Sequence, residues 1–505
     1  MSMNPTSLRS DRWVWAIVAL NFGLHLIGLS QPLVDAQNWR QTDTAAIARN
    51  FYEEGMNPLY PRVDWRGRTE GYVESEFSLF PWLVAFFYKL SGDIWEGWGR
   101  LLSGIFSALT VFLLFLLGAG LYGRRVGHFA ALVFTLSPLE IFYGRAFMPE
   151  ALMLLCSVGA VWAFWMWTEG GGRGWFFTAA MFTALAILVK LPALYLGLPL
   201  LFLAYGKYGR RTWARSELWL FALLALLPPL LWYLHAHRLF LRTHLTFGIL
   251  PPYGYSKFGP LALRLDPKFY ATLAERFFGV LLTPVGGVLT VLGLLLPVSS
   301  GPRRLPRWWL AALGVYALVA AEGNRALDYY QLPLLPPCAL SAGRALDRIL
   351  RLDVLRDTVL RGRVREAGWM LFGLMGFMGY VYSYPLYIAG TYRDYFRAEY
   401  AIGQEVRHHT PSDALVVTID LDENRRAPHR AQNPVLLYYS GRKGWHLTPD
   451  EATPERVEGL REEGARYLIA PIGELLQNPR LWRHLKERYP LLARNDQFMV
   501  VQLFR

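Results

Sequence analysis

The chain has 505 residues, 53% of them hydrophobic and 15% aromatic, gathered in long apolar runs rather than spread at helical or strand spacing. Such runs read as membrane-spanning helices and exclude an ordinary soluble enzyme. The net charge of +13 would suit nucleic acid in a soluble chain, but the Lys and Arg fall in short loops between apolar runs, which matches anionic lipid headgroups and excludes a nucleic-acid partner.

The first run, 13–30, follows Arg9 and Arg12 and is not followed by a small-x-small cleavage site, so it reads as an uncleaved span rather than a secretory signal. Next comes DAQNWRQTDTAAIARNFYEEG, residues 35–55. Ala45, Ala46, Ile47, Phe51 and Tyr52 predict an amphipathic helix from Thr42 onward, with Asp43 in its opening turn beside Arg40 and facing the membrane surface. Residues 73–92 are apolar but interrupted, aromatic-rich and flanked by Glu74, Glu76 and Lys89, which predicts a helix lying in the interface. The two helices would roof a cavity at the outer leaflet.

Ten further spans are expected at 98–120, 126–142, 149–168, 175–189, 192–206, 216–234, 277–298, 307–321, 330–345 and 367–388, making eleven. Alternate connections are basic: Arg9 and Arg12; Arg124 and Arg125; Lys207, Arg210, Arg211 and Arg215; Arg303, Arg304 and Arg307; and the run of arginines from Arg344 to Arg365. The positive-inside rule then puts the N-terminus in the cytoplasm and the C-terminus outside, in a bacterial plasma membrane. Three substantial segments are left on the outer face: 31–97, 235–276 and everything after about 389.

Within the last segment the apolar runs shorten to strand length at 414–421, 434–440, 466–471 and 497–504. Helical patterns lie between them, one opening with Thr453 as N-cap and Pro454 at the first helical position, the other over 474–489. The expected architecture is an all-α polytopic membrane domain over 1–390 and a small extracytoplasmic α/β domain over 391–505. The two cysteines, Cys156 and Cys338, both lie in apolar runs and provide neither a disulfide framework nor a Cys-based metal site.

An acid-bearing first outer loop, two interfacial helices and GRLLSGIFSALTVFLLFLLGAGLYGRRVGHFAALVFTLSPLEIFYGRAFMPEALM (99–153) together resemble the GT-C glycosyltransferases of family 39, the protein O-mannosyltransferases and aminoarabinose transferases. LAILVKLPAL (185–194) is similar to that family's Lys-containing turn between spans, and ALDYYQLPLLPPCALSAG (326–343) to its late span. The resemblance covers roughly residues 10–345. It implies transfer of a sugar from a polyprenyl-phosphate donor to an acceptor on the outer face, with inversion at the anomeric carbon. The family's catalytic Asp sits early in the first outer loop, in an acidic pair followed by Arg and Tyr; WRQTDT stands here instead, making Asp43 the candidate and Asp35 the alternative.

The groups themselves suit this chemistry. A carboxylate near the anomeric carbon can accept the proton of an attacking hydroxyl, and the departing lipid phosphate needs cations. Arg40, Arg145, Lys190, Arg276 and Arg325 are the outer-side candidates for the phosphate; Lys190 either binds it or snorkels to the headgroups. Glu150 is a second catalytic candidate or merely complements a helix N-terminus. Glu76, Tyr253, Tyr255 and Tyr329 are candidates for substrate binding, with PPYGYSKF (251–258) alternatively an interface anchor, while Asp64 and Glu70 read as solvated loop charges. No cofactor is expected. A divalent metal stays open at His235, His237 and His244 or at Asp420, Asp422 and Glu423, whose spacings do not mark a metal site. The acceptor is a glycolipid, a cell-envelope glycan or a protein hydroxyl. A transporter or flippase of lipid-linked saccharides, or a passive anchor for the outer domain, are the competing classes.

Overall fold

A computed structural model describes residues 11–249, 257–298, 301–351, 358–384, 394–419 and 434–504. Tyr253, Tyr255, Asp420, Asp422 and Glu423 lie outside the described residues. The chain divides into two compact units, one of Met1–Leu29, Arg100–Trp232 and Ser256–Pro385, the other of Ser30–Gly99, Tyr233–Tyr255 and Leu386–Arg505.

In its described residues the first unit is helical, and small residues decide how closely its helices approach. A Cβ on Gly127 would lie 2.7 Å from the Phe115 carbonyl oxygen, one on Gly343 would lie 2.9 Å from that of Val126, and one on Gly293 would lie 1.8 Å from that of Ser341. The Leu335–Leu350 helix is thereby drawn against both Arg124–Thr135 and Thr283–Leu295, backbone to backbone, as small residues allow in apolar bundles. Helix is present in each of the eleven runs expected to span. Among the described residues three helices, Gly97–Tyr122, Glu150–Thr168 and Ser216–Thr243, are long and apolar enough to cross a membrane unaided, and Pro267–Leu281 with Thr283–Leu295 makes one bent pair, at 107°, that could count as a fourth. Most of the other runs are shorter or broken, whereas Thr358–Ser383 is a continuous helix of 26 residues. The expected 126–142 span is interrupted before Pro138, and the 192–206 span begins as the 3₁₀ turn Leu191–Leu196, consistent with proline's missing N–H donor.

The second unit holds a five-stranded sheet: β1 (Leu415–Ile419), β2 (Lys443–Leu447), β3 (Ala465–Pro471), β4 (Leu491–Arg494) and β5 (Phe498–Gln502). Its order is β2-β1-β3-β5-β4, parallel across β2, β1 and β3 and antiparallel from β3 through β5 to β4. Alternate residues face opposite ways. Val417, Ile419, Leu468 and Val501 pack under Val457, Leu460 and Leu485. Val416, Tyr467, Ile469 and Val500 pack instead with Ile402, Val406 and Leu437, and with Ile47, Phe51, Val63 and Trp65 from the segment 31–97. That segment therefore shares a core with the sheet.

Several sequence expectations change here. PVLLYYS is not a strand: Val435–Ser440 is a helix, buried at every position and ended by Gly441 at a φ of 61°. A short apolar run buried all round carries no period to separate the two forms. The 474–489 helix is two, Ile472–Gln477 and Pro479–Arg488, divided at Asn478, whose side chain accepts the Leu481 N–H. Thr453 does cap its helix, accepting the Arg456 N–H. The helix expected from Thr42 begins at Asn38, and Arg40 to Phe51 are all buried, so it is enclosed rather than amphipathic.

Candidate active site

Asp43 occupies the second turn of the Asn38–Glu54 helix and is 1% exposed, not at the opening turn facing the membrane surface. Enclosure forces its carboxylate to find a partner, and the Trp65 indole N–H donates to Oδ1 at 2.9 Å. The Trp65 ring stands edge-on to Phe247, with centroids 5.8 Å apart, and the Arg40 guanidinium lies 4.9 Å from the same Phe247 ring. Arg40 pairs with Glu76 at 2.8 Å. Asp43, Arg40 and Glu76 thus share one neighbourhood. Asp35 is also buried, and its carboxylate accepts from the Gln41 amide.

Burial pushes the Asp43 carboxyl up to about 8, against the Trp65 hydrogen bond and the Arg40 charge, with the Asp64 charge adding to the rise. Asp64 is not a solvated loop charge. Its side chain is fully buried, ion-paired with Arg49 and with Lys443 at 2.6 Å, and it accepts from Asn50 at 3.0 Å. Burial would raise its carboxyl, but Arg49 and Lys443 override this and hold it down at about 2. Glu70 is exposed. Glu74 accepts from Thr246 and faces His237 at 3.4 Å, whereas His235 contacts the Leu59 carbonyl oxygen. Among the described residues no group of three or more His, Cys, Asp or Glu is placed to hold a metal ion.

In the first unit, Lys190 ends the Arg173–Val189 helix with extended backbone two residues before Pro192. Its ammonium meets Glu150 at 2.9 Å and lies 5.5 Å from the Tyr329 ring centroid. Glu150 is 1% exposed, so its carboxylate is enclosed together with the Lys190 ammonium. Tyr143 stands edge-on to Tyr329, 5.6 Å between centroids, and donates to Asp328 at 2.6 Å. Lys190, Glu150 and Tyr329 are therefore brought together. Arg145 is buried with its guanidinium 5.5 Å from the Phe142 ring. Arg276 donates to the Asn324 and Arg325 carbonyls at 2.8 and 3.0 Å, and the half-exposed Arg325 pairs with Glu322, so local structure occupies both.

Sequence reasoning did not single out Trp65, Lys443, Tyr143 or Asp328. It also missed a buried cluster in which Glu140 accepts from Asn21 and Ser107 and faces His25 at 3.3 Å. Trp65 and Tyr143 look like ordinary membrane-protein aromatics until their partners are known. Asp328 and Glu140, acids beside apolar runs, did carry a signal.

Known proteins resemble the chain at two levels. Residues 78–233 match the family described as dolichyl-phosphate-mannose-protein mannosyltransferase. No curated protein matches. Among solved structures, ArnT from Cupriavidus metallidurans bound to undecaprenyl phosphate aligns with a TM-score of 0.60 at 14% identity, covering 98% of both chains. An oligosaccharyltransferase of Archaeoglobus fulgidus aligns with a TM-score of 0.54 at 12% identity, over 96% of this chain and 73% of its own. The arabinofuranosyltransferase AftD from Mycobacteria gives 0.55 at 15% identity, over 98% of this chain but only 40% of AftD. Over nearly its whole length the chain has the GT-C fold of these proteins, and residues 78–233 match the mannosyltransferase family model.

Proposed function

We propose that the protein transfers a sugar from a polyprenyl-phosphate donor to an acceptor on the outer face of the membrane, inverting the anomeric centre, with Asp43 as general base. Asp43 takes the proton of the acceptor hydroxyl as that oxygen attacks the anomeric carbon and the bond to the lipid phosphate breaks. A base with a pKa near the working pH combines availability with driving force, and enclosure gives Asp43 such a value, about 8. That buried, Trp65-anchored carboxylate in a chain of GT-C fold is the observation that carries the proposal.

Lys190 holds the donor phosphate, with Glu150 fixing its ammonium and Tyr329 flanking it. A lipid-phosphate donor is supported by the undecaprenyl phosphate in ArnT and by the dolichol-phosphate in a complex of the Archaeoglobus fulgidus oligosaccharyltransferase. The acceptor is a glycolipid or an envelope glycan, and the eleven helical runs cross the membrane with the C-terminus outside.

The test is transfer of radiolabelled sugar from a panel of polyprenyl-phosphate sugars to a membrane extract by the purified protein. Asp43→Asn should lower kcat/KM by ~10² to 10⁴, the usual worth of a positioned base. For the parent, kcat/KM should fall about tenfold per pH unit below about 8, as Asp43 becomes protonated. Equal activity in the folded variant moves the base to Asp35 or Glu150; no transfer from any donor removes the proposal.

A further inference from the structure

A cleft of 630 Å³ opens in the second unit, and the chemistry assigned to Asp43 leaves it unused. It is of the size that takes a small molecule or a short saccharide. Arg49 and Glu53, on the Asn38–Glu54 helix, contribute to its lining, but Asp43 does not. Six helical positions separate Asp43 from Arg49, about 9 Å along the axis and about 120° around it.

One wall is cationic. Arg49 and Arg442 are buried and tied down: Arg49 donates to the Tyr438 carbonyl at 2.8 Å, and Arg442 to the Arg407 and Thr410 carbonyls at 2.9 and 2.7 Å. Arg407 is exposed and, among the described residues, has no ion pair. Its side chain runs past Gly441, where a Cβ would lie 3.9 Å from Arg407 Nε and 4.0 Å from Arg49 Nη1. Two guanidinium side chains thus converge on a position that glycine leaves open. Arg407 and Arg49 also repel the Arg442 charge, which together with its burial lowers the Arg442 pKa. An anion at Gly441 would relieve that repulsion.

The remaining lining is aromatic and acidic. Tyr438 and Tyr439 are buried with rings 5.1 Å apart, Tyr400 stands edge-on to Tyr439 at 4.8 Å, and Trp95 and Glu96 also line the cleft. Ring faces pack against the C–H faces of sugars, and carboxylates accept sugar hydroxyls. We propose that this cleft is a binding site for an anionic saccharide, its phosphate or carboxylate on the Arg407–Arg49 wall and its ring against Tyr438, Tyr439 and Trp95.

The full-length protein in detergent micelles is titrated calorimetrically with mannose 6-phosphate, glucose 1-phosphate and N-acetylglucosamine 1-phosphate, with the uncharged parent sugars and with inorganic phosphate. At least one sugar phosphate should bind, with Arg407→Ala and Trp95→Ala each weakening it about tenfold, as expected for loss of one charge-assisted or stacking contact. The parent sugar and inorganic phosphate should each bind at least about tenfold more weakly than the sugar phosphate. Asp43→Asn should leave this binding unchanged, so the site stands or falls apart from the transfer reaction. Lack of binding by every sugar phosphate, an undiminished affinity in Arg407→Ala, or equal affinity for inorganic phosphate would each overturn the assignment.

Discussion

Asp43 and Asp64 belong to one enclosed neighbourhood yet are driven in opposite directions, Asp43 up to about 8 by burial and Asp64 down to about 2 by two cations. Trp65 directly follows Asp64 in sequence and is the hydrogen-bond donor that favours ionised Asp43. Trp65→Phe removes that donor, so the acidic limb of the kcat/KM profile should move to higher pH, measured by transfer assays from pH 6 to 9. Asp64 contributes in the other sense. Because its folded value lies below the usual carboxylate value, its share of stability is complete above about pH 4 and is lost as pH falls through about 2. That share is about 2 kcal/mol. Asp64→Asn strands Arg49 and Lys443 and should cost about 3–5 kcal/mol, read by thermal unfolding at neutral pH.

Close backbone approach dominates at the scale of elements. Gly293 brings the Thr283–Leu295 helix onto Ser341 of the Leu335–Leu350 helix so tightly that a methyl group would overlap the Ser341 carbonyl oxygen. Gly293→Ala should destabilise the fold by on the order of 3 kcal/mol, visible as an earlier melt in detergent. A melt unchanged from the parent would mean that the two helices separate freely. In the second unit, β2 carries Lys443 to Asp64, and Gly444 exchanges hydrogen bonds with the loop through Asp64 and Gly67. The loop bearing Trp65 is therefore anchored to the sheet. The Val435–Ser440 helix, read as a strand from its composition, presents Tyr438 and Tyr439 to the cleft.

For the whole molecule, the sharing of a core between residues 30–99 and the C-terminal sheet changes what truncation should do. A chain ending at residue 390 loses β1–β5 and with them the packing around Ile47, Phe51 and Trp65. Transfer to every acceptor should be abolished rather than redirected. Retained transfer with an altered acceptor range would instead show that the C-terminal residues act on acceptor choice alone.

The apolar runs and the ordered motifs from residue 99 to 343 by themselves carried the helical character and the GT-C fold of the chain, because hydrophobic length and motif order are local properties of sequence. They also nominated Asp43, Lys190 and Glu150, acids and bases out of place beside apolar segments. Which partners those groups have was decided by tertiary structure. Asp64 looked like a solvated loop acid until Lys443, 379 positions later, closed over it. Trp65 was one of 19 tryptophans until its indole met Asp43. The cleft around Gly441 draws its walls from segments hundreds of residues apart. Burial and pairing depend on what arrives from elsewhere in the chain, and these set the basicity of a carboxylate and the shape of a binding site.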